Sequence, residues 1–169
     1  MPVVSGAEFL KAARKGGYAV GGYNTNNLEW TQAILEAAEA KKAPVLIQTS
    51  MGAAKYMGGY KVAKDMITNL VDSMNITVPV AIHLDHGDYE AALECIEVGY
   101  TSIMFDGSHL PFEENLKLAK DVVEKAHAKG ISVECEVGSI GGEEDGIIGT
   151  GELADIEECK QMVATGIDY

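Results

Sequence analysis

The sequence predicts an α/β fold organised on a parallel β-sheet. Three observations predict it. Strand and helix patterns alternate along the whole chain, the strand candidates are short apolar runs bounded by turn residues, and each run turns polar at its C-terminal end. Repeated β-loop-α units need a parallel sheet, because a parallel neighbour is reached through a crossover helix.

The elements follow in order. Ser5 and Glu8 have capping-box spacing and open a short amphipathic helix that stops near Gly16. Tyr18–Asn24 reads as the first strand. Asn27–Lys42 reads as a helix with Leu28, Ala33, Ile34, Leu35, Ala37 and Ala38 weighting its inner side. Pro44–Ser50 is a nearly continuous apolar strand, and a glycine-containing loop leads to a helix over Lys61–Ser73. Val78–His86 is the third strand. Asp88 caps a helix over Tyr89–Val98, which Gly99 ends. Thr101–Gly107 is the fourth strand, and Pro111–Lys129 a long helix closed by Gly130. Ile131–Ile140 is the fifth strand. A glycine-rich loop, Gly141–Gly151, precedes a helix over Asp155–Thr165, and Ile167–Tyr169 begins a sixth strand.

Composition bounds the reading. The 169 residues are 47% hydrophobic and 23% charged, which suits one soluble globular domain over 1–169. No apolar run reaches the ~18 residues of a membrane span, and the N-terminus has no apolar stretch before a cleavage site. A formal charge of −13 argues against nucleic acid and anionic membranes as partners. Cys95, Cys135 and Cys159 are scattered, without a Cys-x-x-Cys pair, and read as packing thiols in a reducing cytoplasm. Two architectures fit the alternation: a closed (β/α)8 barrel and an open doubly wound sheet. The first strand–helix turn, Gly21-Gly22-Tyr23-Asn24-Thr25-Asn26, is not Gly-x-Gly-x-x-Gly and does not favour a dinucleotide site.

Strand parity marks candidate site residues. On the fifth strand Val133, Cys135 and Val137 share one side, and Glu134 and Glu136 the other. Carboxylates inside a sheet are costly unless paired, hydrogen-bonded or bound to a cation. Gln48 and Ser50 oppose Val45 and Ile47, His83 and Asp85 share a side with His86 at the tip, and Met104 and Asp106 oppose Ile103 and Phe105. In a barrel these polar exits face the C-terminal mouth, where substrate enters. Asp85-His86 is the sharpest feature. A neutral imidazole suits zinc, and a neighbouring carboxylate can exchange a proton; a hydrogen-bonded pair ending a strand is the plainer reading. His83 reads as a hydrogen-bonded support, His109 as a loop residue and His127 as a helix-end residue suited to the dipole. The acids Glu143, Glu144 and Asp145 sit in a loop whose glycines suit movement, so it could close over a substrate.

Taken together, Gly22-Tyr23-Asn24, Gln48-Thr49-Ser50, Leu84-Asp85-His86-Gly87-Asp88-Tyr89, Phe105-Asp106-Gly107-Ser108 and Glu134-Cys135-Glu136-Val137-Gly138, running into Gly141-Gly142-Glu143-Glu144-Asp145-Gly146, resemble the class II fructose-1,6-bisphosphate aldolases common in bacteria. The resemblance implies a (β/α)8 TIM barrel, of which this chain holds the first five to six units. It implies reversible cleavage of fructose 1,6-bisphosphate to dihydroxyacetone phosphate and glyceraldehyde 3-phosphate through a zinc-stabilised enediolate, in glycolysis and gluconeogenesis. Asp85 resembles the family's proton donor and acceptor, and Glu144 the loop glutamate that moves a proton at the dihydroxyacetone phosphate carbon. Asn24 and Ser50 resemble substrate-contacting residues. His86 resembles a zinc ligand, and Asp106 and Glu136 resemble ligands of a second or displaced metal position.

Zn2+ is the implied cofactor, and the resemblance leaves open a second divalent position and a monovalent cation. Sugar bisphosphate and triose phosphates are the implied partners, and a homodimer or homotetramer the implied assembly. None of the inward strand positions named above is a lysine, which argues against a Schiff-base mechanism. The family's other zinc histidines and its phosphate loops follow the point matched by Tyr169, and a (β/α)8 barrel typically takes about 250 residues. The expectation is therefore a C-terminally incomplete domain that is inactive by itself. A tagatose-bisphosphate aldolase of the same metal class, and an inactive truncated barrel acting as a binding module, are the competing readings.

Overall fold

The computed structural model describes residues 2–144 and 147–169, and the side chains of these except at 140, 143, 144 and 147–150. Five strands, β1 (Gly21–Asn24), β2 (Val45–Ser50), β3 (Val80–Gly87), β4 (Ser102–Phe105) and β5 (Ser132–Cys135), form one parallel sheet in the order β1-β2-β3-β4-β5. Sequential order means that every crossover steps the same way around the sheet. A doubly wound sheet would reverse direction beside an early strand. Of the two architectures the sequence allows, the structure has the arc of a (β/α)8 barrel.

The two faces of this arc differ as the parity requires. Val45, Ile47, Val80, Ile82, Leu84, Ile103, Phe105 and Val133 point to the outer layer. There they pack on the helices α2 (Leu28–Lys41), α4 (Tyr60–Ser73), α5 (Tyr89–Val98) and α6 (Phe112–His127), through residues such as Leu35, Ile67, Cys95 and Val122. On the inner face, Leu46 and Ala81 near the strand starts are covered by Phe9 of α1 (Ala7–Gly16). The first helix therefore closes the N-terminal end of the arc. The inner positions nearer the strand exits are left to polar side chains.

Several local expectations are corrected. Helix α1 has Gly6, not Ser5, at its N-cap, without a side-chain cap. The Gly6 amide is taken by Ser132 Oγ at 3.1 Å, which fixes the chain before the helix starts. In α2 the buried residues are Thr31, Leu35 and Ala38, at helical spacing, whereas Leu28, Ala33 and Ala37 are exposed. The segment after β2 is a helix, α3 (Met51–Met57), capped by Ser50, whose Oγ accepts from the Ala53 amide at 3.2 Å. The glycine-rich loop is largely an antiparallel ribbon, β6 (Ser139–Glu144) with β7 (Ile147–Glu152). Ile147, Ile148 and Thr150 favour extended backbone.

Gly138 enters the ribbon at φ +85°, and a Cβ there would lie 2.7 Å from the Glu152 carbonyl oxygen, so the close crossing requires glycine. Helix α7 (Ile156–Ala164) is capped by Asp155, whose Oδ1 accepts from Glu157 and Glu158 amides. Residues 167–169 form no regular strand. They run beside β5, with the Asp168 amide donating to the Val133 carbonyl at 2.8 Å and the Val133 amide to Asp168 Oδ2 at 3.0 Å.

Candidate metal and acid–base site

The site is built at the exits of β1 to β5. Register places Gln48 opposite His83 and Ser50 opposite Asp85, so β2 and β3 present polar residues side by side. Between β3 and β4 the register shifts. Leu84 pairs with Ile103 and Gly87 with Phe105, so β3 carries one extra residue over this interval. This is a bulge, which bends the strand and re-aims side chains.

His86, inside the bulge, has φ +47°. That left-handed conformation costs a non-glycine residue roughly 1–2 kcal/mol. It breaks the alternation that would send Asp85 and His86 to opposite faces, and both side chains are half-buried on the polar side. The distortion sets Asp85 against Gln48 and His86 against Asp106.

Asp85 is held through both oxygens. Asn24 Nδ2 donates to Oδ2 at 2.5 Å, and Gln48 Nε2 donates to Oδ1 at 2.9 Å. Gly22 makes room for this arrangement, since a Cβ there would lie 2.1 Å from Gln48 Oε1. A carboxylate fixed by two neutral amides keeps its direction, which suits a group that exchanges protons at one point.

Beside it, His86, Asp106 and Glu136 bring ligand atoms within 4.8 Å of one another. His86 Nδ1 is 2.9 Å from Asp106 Oδ2 and 3.6 Å from Glu136 Oε2. Asp106 Oδ1 accepts from the Ser108 amide at 2.9 Å. Burial pushes the Asp106 carboxyl up, but hydrogen bonds from His86 and Ser108 outweigh it and hold the group below its ordinary range. One imidazole and two carboxylates at this spacing suit a divalent cation such as zinc. The sequence-predicted ligands thus come together, although they lie on three different strand exits.

Under this cluster, buried His83 joins Ser102 Oγ through Nδ1 at 2.7 Å, and its Nε2 lies 3.6 Å from Glu134 Oε2. Burial lowers the His83 pKa to about 4, so the ring is neutral, and burial next to Asp85 raises that of Glu134. His83 is a hydrogen-bonded support, as its position predicts. His109 is exposed in the connection before α6, and His127 Nε2 lies 3.0 Å from Asp168 Oδ2 at the end of α6. Cys95 is buried, and Cys135 and Cys159 are partly buried.

Ser50 is at the exit of β2 as its helix cap. Glu144 ends β6, and its side chain lies outside the described residues, as do Asp145 and Gly146. Sequence reasoning did not single out Gln48 for a role, although its inward parity beside Asp85 was a usable signal. It also passed over Asn115 of α6, whose Nδ2 donates to the Glu136 carbonyl at 3.0 Å, because polar residues in a helix's first turn are common.

Known proteins resemble this chain throughout. The sequence profile described as fructose-bisphosphate aldolase class-II matches residues 4–169. A fructose-bisphosphate aldolase of Streptococcus pneumoniae serotype 4 is 82% identical over 169 residues, covering all of this chain and 58% of the relative. That of Geobacillus stearothermophilus is 55% identical over 171 residues, covering 99% of this chain and 60% of the relative. Among solved structures, a fructose-1,6-bisphosphate aldolase described as putative from Coccidioides immitis superposes with a TM-score of 0.85 at 34% identity, over 99% of this chain and 59% of its own. The YdjI aldolase of Escherichia coli K12 gives 0.81 at 29% identity, over 98% and 62%. The chain thus spans about three-fifths of the length of these relatives.

Proposed function

This chain belongs to the class II fructose-bisphosphate aldolase family, and we propose that it supplies the acid–base residue and metal ligands of a lyase that reversibly cleaves fructose 1,6-bisphosphate to dihydroxyacetone phosphate and glyceraldehyde 3-phosphate. The observation that carries this reading is the adjacency of two arrangements: Asp85 clamped by Asn24 and Gln48, and His86, Asp106 and Glu136 converging beside it. His86 would be one ligand of the metal, read here as Zn2+, and Asp106 and Glu136 would hold a second or displaced position of it. Bound there, it supplies Lewis-acid polarisation of the substrate ketone.

The chain's own residues do the rest. Asp85 takes the hydroxyl proton next to the breaking carbon–carbon bond and returns it in the condensation direction. The amides of Asn24 and Gln48 hold its oxygens in one orientation. Asn24 and Ser50 contact the triose portion, and Glu144 moves the proton at the dihydroxyacetone phosphate carbon. None of Asn24, Gln48, Ser50, His83, Asp85, Met104, Asp106, Glu134 and Glu136 offers an amine, which supports metal rather than Schiff-base chemistry. The family acts on sugar phosphates; fructose rather than tagatose bisphosphate, a homodimeric or homotetrameric assembly, a cytoplasmic location, a second divalent position and a monovalent cation are parts of the proposal. Among the described residues no helix is long and apolar enough to cross a membrane.

The test is cleavage of fructose 1,6-bisphosphate by the complete enzyme before chelation, after it and after zinc is restored, with tagatose 1,6-bisphosphate as the second substrate. Loss and recovery of activity, with fructose bisphosphate preferred, is the expected result. Full turnover by metal-stripped protein, or preference for the tagatose epimer, would contradict the proposal.

A further inference from the structure

Asn115 is 2% exposed in the first turn of α6 and reaches under the metal-ligand cluster. Its Nδ2 donates to the carbonyl of Glu136 at 3.0 Å. Its Oδ1 is buried and has no hydrogen-bond partner among the described residues. Turning the amide over would set Oδ1 against the Glu136 carbonyl oxygen, two acceptors face to face, so the donor assignment follows from the chemistry. On its other side Asn115 meets Gly107, the residue after Asp106. A Cβ at 107 would lie 2.4 Å from Asn115 Oδ1 and 2.8 Å from its Cγ. The segment carrying Asp106 is further tied to β3, its amide donating to the Gly87 carbonyl at 2.9 Å.

An orphaned buried carbonyl is unfavourable, and a leucine of similar size would remove it. Leucine would also take the donor from the Glu136 carbonyl, so the two effects offset and stability alone does not select asparagine here. What the amide provides is a fixed donor to the backbone of one candidate ligand, from a side chain packed flush on the backbone beside another. We propose that Asn115 is a positioning residue for the metal site: it sets the separation of the β4 and β5 exits, and so of the Asp106 and Glu136 carboxylates, while touching neither the metal nor the substrate. This rests on the reading of His86, Asp106 and Glu136 as metal ligands. Partners that orient metal ligands are typically worth 10–100-fold in metal affinity.

The experiment measures zinc dissociation constants, by competition with a chromophoric chelator, together with unfolding midpoints, for the intact protein and for Asn115→Leu, Gly107→Ala and His86→Ala. Gly107→Ala displaces the same amide from the opposite side and decides the matter if the leucine variant does not fold. The expected result is zinc bound about 10–100-fold more weakly by Asn115→Leu, with its unfolding midpoint little changed, and weakened likewise by Gly107→Ala. Zinc bound at intact-protein affinity by Asn115→Leu, or by Gly107→Ala if that variant must decide, while His86→Ala loses it, would overturn the inference and leave the ligand reading standing. Zinc bound equally well without the His86 imidazole would sink the ligand reading, and the inference with it.

Discussion

Gln48 Nε2 donates to Asp85 Oδ1 at 2.9 Å, from the strand next to the one that carries Asp85. The contact makes β2 a support for the proposed acid–base group. Gln48→Leu keeps the side chain's bulk and removes the donor. Turnover is expected to fall roughly 10–10²-fold, the range a small misplacement of a reacting group costs, with zinc content and unfolding midpoint little changed. Steady-state kinetics on metal-matched protein checks this; an unchanged kcat would contradict it.

Gly22→Ala approaches the same contact from β1. The added methyl would lie 2.1 Å from Gln48 Oε1, the far end of a flexible side chain, so Gln48 shifts and the fold stays intact. The expected outcome is a kcat loss of the same sign as Gln48→Leu and smaller in size. A drop in unfolding midpoint with kcat intact would show that the space serves packing alone.

His86→Ala is expected to lower zinc occupancy and turnover together, because catalytic zinc has only about three protein ligands. Removing the side chain does not relieve the positive φ at this position, so stability should gain little. Metal analysis after dialysis against a weak chelator provides the check, and occupancy equal to the unmodified protein would remove His86 from the ligand set.

Glu39 ties the end of α2 to the entry of β3. Its carboxylate accepts from the Thr77 amide at 2.7 Å, from the Thr77 hydroxyl at 2.8 Å and from the Val78 amide at 3.3 Å, and it pairs with Lys42. The Lys42 hydrogen bond first, then those from Thr77, lower its pKa from an ordinary 4.5 to about 2. A depressed carboxylate stabilises the fold above its unfolded value, and that contribution disappears as pH falls from about 4.5 to about 2. Glu39→Gln should be less stable than the unmodified protein at pH 7, and the gap should close across that acid window. Denaturant melts at a series of pH values would contradict this if the two stability curves ran parallel.

The sheet and the inward residues were legible because both depend on period-2 alternation. Val133 and Glu134 face opposite ways because β5 runs in regular register with β4, and the order of apolar start and polar exit repeats from β2 to β5. The bulge was not legible. Nothing in Asp85-His86-Gly87 reveals that β4 pairs one residue short, since register is decided by the neighbouring strand. Helix α3 escaped because Met51–Met57 is a short run with one buried residue, Ala54, and little amphipathic pattern. The β6–β7 ribbon escaped because Gly141, Gly142 and Gly149 suggest a loop, while the pairing that makes it a ribbon is between segments. The roles of Gln48 and Asn115 lie in contacts between elements, 37 and 21 residues apart in sequence, which no local pattern carries.

Turnover of Asp85→Asn at matched zinc content tests the central claim most directly. The substitution keeps the shape at the exit of β3 and removes the charge that accepts and returns the proton. The expected result, in the complete enzyme, is a fall in fructose 1,6-bisphosphate cleavage of roughly 10²–10⁴-fold with zinc bound as before. Near-normal cleavage by zinc-loaded Asp85→Asn would contradict the assignment of the acid–base role to this carboxylate.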